Sequence, residues 1–223
     1  MRKRGSRKAM AHSDTSAAGR AIDVIRARII AGEIHPGERL TEEQLRADLG
    51  IARSTLREAL RSLVQQRLVV HHLARGFFVR SLTSTDLIDL YLVRRMVECG
   101  AVRQISQLTV PQLQHLASAV DRGTRAVTER SWQDAASASI GFHEAIVSLA
   151  GSPRLSEINQ RTLAEFRLSY AVMANPFDFH VPFIARHAEL AHLIQQGRTE
   201  RAADMLHQYL MDSEQAVLAL FRS

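Results

Sequence analysis

The sequence predicts a mainly α chain in two parts, a small basic head of three helices closed by a β-hairpin, then an all-helical body. Three observations predict it. Apolar residues recur at helical spacing almost throughout. The β-prone runs, residues 68–72 and 77–80, lie side by side in the first third of the chain. Charge divides unevenly as well: residues 18–81 carry 11 Lys/Arg against 7 Asp/Glu, whereas residues 82–223 carry 13 against 15.

Taken in order, Ala21, Ile22, Val24, Ile25, Ala27, Ile29 and Ile30 give a first helix over 19–32, ended by Gly32. Residues 33–37 form a turn around Pro36-Gly37. Thr41 and Gln44 read as a capping box for a second helix over 42–48, which stops at Gly50, where a sharp turn is permitted. A third helix continues to about residue 67. Residues 73–76, Leu-Ala-Arg-Gly, then separate the two strands of the hairpin. Helix, helix, turn, helix, hairpin is the order of a winged helix-turn-helix.

The third helix is the most informative stretch. Ile51, Leu56, Ala59, Leu60 and Leu63 form one buried stripe and leave Arg53, Ser54, Thr55, Arg57 and Arg61 outward. An arginine-rich helix taken alone is usually a solvated face. Here it follows a tight turn and precedes a basic hairpin, an arrangement suited to phosphates and base edges.

From Ser84 onward strand signals fade and helices are expected over 84–106, 111–127, 131–150, 153–174, 182–196 and 198–221. Pro111, Pro153 and Pro182 fall near proposed helix starts, where a missing N–H costs nothing. The expected division is a disordered basic tail over 1–17, a DNA-binding head over 18–81 and an all-helical body over 84–221, to which the resemblance given below assigns effector binding and dimerisation. Arg2, Lys3, Arg4, Arg7 and Lys8 charge the tail.

The 223 residues, 46% of them apolar, suffice for two packed cores. No apolar run reaches the roughly 18–20 residues of a membrane helix, and the basic start lacks the apolar centre of a signal peptide. The expectation is a cytoplasmic protein without membrane partners. Cys99, the single cysteine, has no thiol partner and reads as a buried small hydrophobe.

The run from Ile30 to Glu42 and from Leu49 to Leu60, with Arg75-Gly76-Phe77-Phe78-Val79 as a wing, resembles the GntR family of bacterial transcription regulators. Tyr91-Leu92-Val93-Arg94-Arg95, Phe142-His143, Gly151-Ser152-Pro153-Arg154-Leu155 and Arg186-His187-Ala188-Glu189-Leu190 are similar to the helical FCD domain of its FadR-type subfamily. The resemblance implies DNA contact through Arg53, Ser54, Thr55 and Arg57 on the recognition helix and through Arg75 and Gly76 at the wing tip. Ala52 stands where a Ser often caps this helix.

It also implies a pocket in the body. Many members hold a divalent metal there through one Asp and three His, beside a small carboxylate effector. In this chain the Asp position is Ser139 and the last His position is Tyr209, so only His143 and His187 remain as strong ligands. His192 and His207 are out of register. The expectation is therefore no cofactor, a metal being possible only through His143 and His187, and an effector pocket of Arg94, Ser139, His143, His187 and Tyr209. For Arg94 two anions are open: an organic carboxylate, or a glutamate of the body itself.

Three functions compete. The first is a ligand-responsive regulator, a homodimer on a palindromic operator of double-stranded DNA with a small organic acid as effector. The second is a constitutive DNA-binding protein whose pocket has decayed. The third is a His-dependent helical enzyme, against which stand the missing GxSxG, P-loop and GxGxxG motifs and a His143–Val147 run that fails HExxH.

Overall fold

The computed structural model describes residues 16–172 and 176–221; the charged residues of the basic tail lie outside the described residues. Helix α1 (Ala17–Ile30) starts at Ser16, whose Oγ accepts from the Gly19 N–H at 2.9 Å. Helix α2 (Glu42–Leu49) ends at Gly50, which takes the left-handed conformation (φ +62°) and turns the chain into α3 (Arg53–Gln65). Leu56, Ala59, Leu60 and Leu63 of α3 are wholly buried.

Two local expectations fail here. Thr41 stands at the cap of α2, but its hydroxyl caps no first-turn N–H, so the box with Gln44 does not form. The chain reaches Thr41 from a two-residue strand, β1 (Arg39–Leu40), whose pairing fixes its direction, and Glu42 and Glu43 answer the helix dipole instead. That strand was also unforeseen. It pairs antiparallel with β3 (Gly76–Val79), which pairs with β2 (Val69–His72) in the order β1-β3-β2, with Val69 opposite Val79 and His72 opposite Gly76.

The body begins with α4 (Ser84–Arg94), capped by a Thr83–Asp86 box. The helix expected over 84–106 then widens into a π segment, Arg95–Cys99, before closing as α5 (Gly100–Arg103). Helices α6 (Val110–Thr128), α7 (Trp132–Ser148) and α8 (Pro153–Phe166) follow, with Pro111 and Pro153 in their first turns. Helix α7 is central and buries residues nearly all round, among them Ser139, Phe142, His143 and Ile146. Gly123 lets α6 approach closely, since a Cβ there would stand 3.0 Å from Ile184.

The last third departs most from expectation. The helix drawn over 153–174 stops at Phe166 and tightens into a 3₁₀ segment, Arg167–Val172. Pro182 does not start a helix but lies inside α9 (Pro176–Ile184). It removes one internal hydrogen bond from a helix that ends two residues later, while Phe179 and Phe183, four residues apart on one face, are buried. The chain breaks instead at 185–186, before α10 (His187–Gln195) and α11 (Thr199–Leu220).

Head and body each have a hydrophobic core, and a buried residue of the body enters the head's, with Ala164 and Leu82 packed beside it. Leu168 of the 3₁₀ segment is 3% exposed and packs with Ile25, Leu60 and Leu63 in the head. Beside it Arg80, after β3, donates to Glu165 at 2.7 Å and Asp86 at 2.5 Å. Apolar contact and a partly buried ion cluster therefore meet at the joint.

Candidate nucleic-acid interface and the interior of the body

The outward face of α3 carries Arg53, whose side chain is 69% exposed, Ser54, half-buried Thr55 and Arg57 at 44%. Glu42 of α2 stands behind both arginines, its two oxygens 3.5 Å from Arg53 Nε and 3.6 Å from Arg57 Nε. These contacts are too long for good hydrogen bonds and leave the guanidinium groups available. No side chain caps α3 and no acid sits in its first turn, which keeps that helix end receptive to phosphate.

At the wing, Ala74 (φ +62°) and Gly76 (φ +94°) turn the hairpin and leave Arg75 exposed, with its guanidinium 5.8 Å from the Phe78 ring centroid. Between α2 and the wing lies a cleft of about 380 Å³ whose walls include Arg39, Arg46, Arg53 and Gly76. Sequence reasoning missed Arg39 and Arg46. The alternation of exposed Arg39 with buried Leu40 was a signal for the first, but only the β1–β3 pairing brings it to the wing.

The body's interior is polar and sealed. Arg94 and Glu98, 2% and 0% exposed, are joined by a 2.7 Å bond from Arg94 Nε, and the Arg94 guanidinium also lies 4.8 Å from the Phe166 ring centroid. Of the two anions open to Arg94, the internal glutamate is the one that faces it. Burial works to raise the Glu98 pKa, but the charge of Arg94 and the His143 ring more than offset it and hold the carboxyl below its ordinary value. Glu98 is the residue sequence reasoning missed here. A glutamate four residues after Arg94 among apolar neighbours was the available signal.

Glu98 Oε2 lies 2.6 Å from His143 Nδ1, and burial keeps that imidazole below its ordinary pKa. A carboxylate can only accept, so Nδ1 carries the proton and Nε2 of the neutral ring has a free lone pair. The Tyr209 hydroxyl stands 3.3 Å from that Nε2, 3.1 Å from His187 Nε2, and is hydrogen-bonded with Ser139. The phenol accordingly donates to His143 and accepts from His187.

Positions 139, 143, 187 and 209 thus converge on one point, and the point is an oxygen atom of the protein. A divalent ion does not fit this arrangement. It would need the Nε2 lone pairs of both histidines, one of which accepts the phenol proton, and a carboxylate where Ser139 stands. Burial raises the Tyr209 pKa far above its ordinary value, so it offers no phenolate as ligand. Among the described residues no group of three or more His, Cys, Asp or Glu could hold a metal ion.

A winged head that presents arginines on its third helix, set on a helical body with a closed polar interior, defines a DNA-binding regulator class. Residues 17–79 match the family model "Bacterial regulatory proteins, gntR family", and residues 89–212 match the FCD domain. The chain belongs to the GntR family of transcriptional regulators, with an FCD effector-binding domain. That family and its relatives are regulators, not enzymes.

Among relatives, the HTH-type transcriptional regulator BphR of Paraburkholderia xenovorans is 32% identical over 135 residues, 57% of this chain and 55% of its own length. The Nta operon transcriptional regulator of Aminobacter aminovorans is 37% identical over 83 residues, 37% of this chain and 40% of its own. The matches thus span about half the length of these curated relatives. A GntR transcriptional regulator of Rhodococcus sp. RHA1 has a solved structure that superposes with a TM-score of 0.84 at 36% identity, over 92% of this chain and 99% of that one. Among the described residues no helix is long and apolar enough to cross a membrane.

Proposed function

We propose that the chain is a ligand-responsive regulator that binds a palindromic operator as a homodimer and answers to a small organic acid. The observation that carries this reading is the two-sided build of α3. One face is wholly buried through Leu56, Leu60 and Leu63, and the opposite face offers Arg53, Ser54, Thr55 and Arg57 beside Arg75 and Gly76 of the wing. Arginine pairs bidentately with guanine, hydroxyls reach base edges or phosphates, and a wing glycine admits close backbone approach to a groove.

A single such head reads few base pairs, and two-fold symmetry doubles the contacts, which supports a dimer on an inverted repeat. An effector is supported by the FCD domain. In this reading Arg94, Ser139, His143, His187 and Tyr209 are the polar interior through which the body responds to its ligand. The test selects operator DNA from a random pool and measures affinity by fluorescence anisotropy and mass by light scattering. A monomer on its best site, or binding without sequence preference, would overturn the reading.

A further inference from the structure

In the interior Glu98 already answers Arg94, and the Tyr209 hydroxyl already lies between the two histidines, so an anion entering there would have to displace them. Arg167 is differently placed. It opens the 3₁₀ segment and is half-buried, with Nη2 donating to Ser137 Oγ at 2.8 Å and a buried Nε that has no hydrogen-bond partner. Burial holds its guanidinium below the ordinary arginine value, with Tyr170 and Glu144 acting the other way.

Arg167 lines a cleft of about 370 Å³ between head and body, within the size range of small-ligand sites. Its apolar walls are Ala27 and Ile30 of α1, Trp132 and Ala136 of α7, and Tyr170. Asp23 and Arg26 also line it, but they bond each other at 2.7 Å and add no net charge. A second cleft of about 410 Å³ lies beside Arg26, Ile30 and Arg167 and includes Glu144 and Glu157, two carboxylates unsuited to an anion.

We propose that the Trp132 cleft binds a small monocarboxylate with an apolar tail, its carboxylate on Arg167 and its tail against Trp132 and Ile30. This deepens the reading of the body as effector-responsive, and rests on it. The ligand touches α1 of the head and α7 of the body at once. Its anchor is also chain neighbour to Leu168, which is locked in the head core, so occupancy acts directly on the head's seating.

Trp132 is the single tryptophan of the chain and serves as the probe. The full chain is titrated with hexanoate and, as the neutral counterpart, hexanamide, while tryptophan fluorescence is followed. Hexanoate should give a saturable change, with hexanamide weaker by about tenfold or more because it lacks the charge-assisted bonds. Arg167→Gln should abolish the hexanoate response. Ala27→Phe, on the exposed wall where folding is not at stake, should abolish it by filling the cleft. No saturable hexanoate response in the wild-type chain, or an undiminished one in folded Arg167→Gln or Ala27→Phe, would overturn the proposal. Operator affinity is measured separately without ligand: its failure strikes the regulator reading and leaves the cleft untouched.

Discussion

Two carboxylates in this molecule each face two basic side chains, Glu42 facing two arginines near the surface and Glu98 facing one arginine and one neutral histidine in the core. Glu42 stands 3.5 and 3.6 Å from Arg53 and Arg57, whose side chains are 69% and 44% exposed. Glu98 stands 2.7 and 2.6 Å from Arg94 and His143, which are buried. The same chemistry serves opposite ends. Near the surface an ion pair gains little, so an incoming anion can compete with Glu42. In the core each charge depends on its partner, because no solvent replaces it. On the function proposed above the first arrangement is exchanged for DNA; the second holds the body together.

The comparison breaks most readily at Glu98. Replacing it with Ala leaves the Arg94 guanidinium buried and unpaired, which should cost about 3–5 kcal/mol. Urea denaturation measures this, and a loss below that of an exposed pair would refute the structural role. The surface pair should show its effect in binding instead. Arg57→Ala should weaken operator binding by roughly 1–3 kcal/mol with the denaturation midpoint unchanged, and Arg53→Ala likewise. Wild-type affinity in a folded double variant would remove α3 from the interface.

Acid sharpens the contrast further. His180 is 1% exposed, neither ring nitrogen has a partner, and burial, with the Arg167 charge, pushes its pKa down to about 3. A depressed folded value means that its contribution is complete above the unfolded value near 6.5 and is lost as pH falls toward 3, at about 1.4 kcal/mol per pH unit. His143 and His187, also lowered by burial, act in the same direction. Stability against pH should therefore slope downward below about 6.5, and His180→Phe should flatten that slope by about one proton. An unchanged slope would place His180 in water.

At the surface the effect shrinks. Glu42→Gln should change stability by less than about 1 kcal/mol and tighten operator binding, since a competing carboxylate is gone. Weaker binding would mean that Glu42 positions the arginines rather than competing for them. The smallest expected effect is none at all: chelators should leave stability and operator binding unchanged. The Ser139→Asp, Tyr209→His double variant should instead take up zinc or nickel by metal analysis. Stoichiometric metal in the untagged wild-type chain, lost in His143→Ala, would refute the place given to the Tyr209 hydroxyl.

Much of the head was legible because its signals are local. The stripe of Leu56, Leu60 and Leu63 sets which face of α3 is buried, Gly50 sets the turn before it, and Gly76 ends the wing. Local rules then failed where packing overruled them. The hydroxyl of Thr41 makes no cap because β1 aims the chain. Pro182 sits within a helix because Phe179 and Phe183 gain burial on its face. The substitutions at Ser139 and Tyr209 were readable as losses of metal ligands, but not as a replacement.

The sequence by itself determined the order of the head's three helices and hairpin, the charged head on a near-neutral body and the outward arginines of α3, since periodicity and residue chemistry are properties of neighbours along the chain. Tertiary structure alone decided that Glu98 meets His143, 45 residues away, that the Tyr209 hydroxyl lies between two histidines, and that Leu168 enters the head's core. Those meetings depend on how helices pack, where burial of whole faces outweighs local preference and no short run of residues records which side chains will share the space.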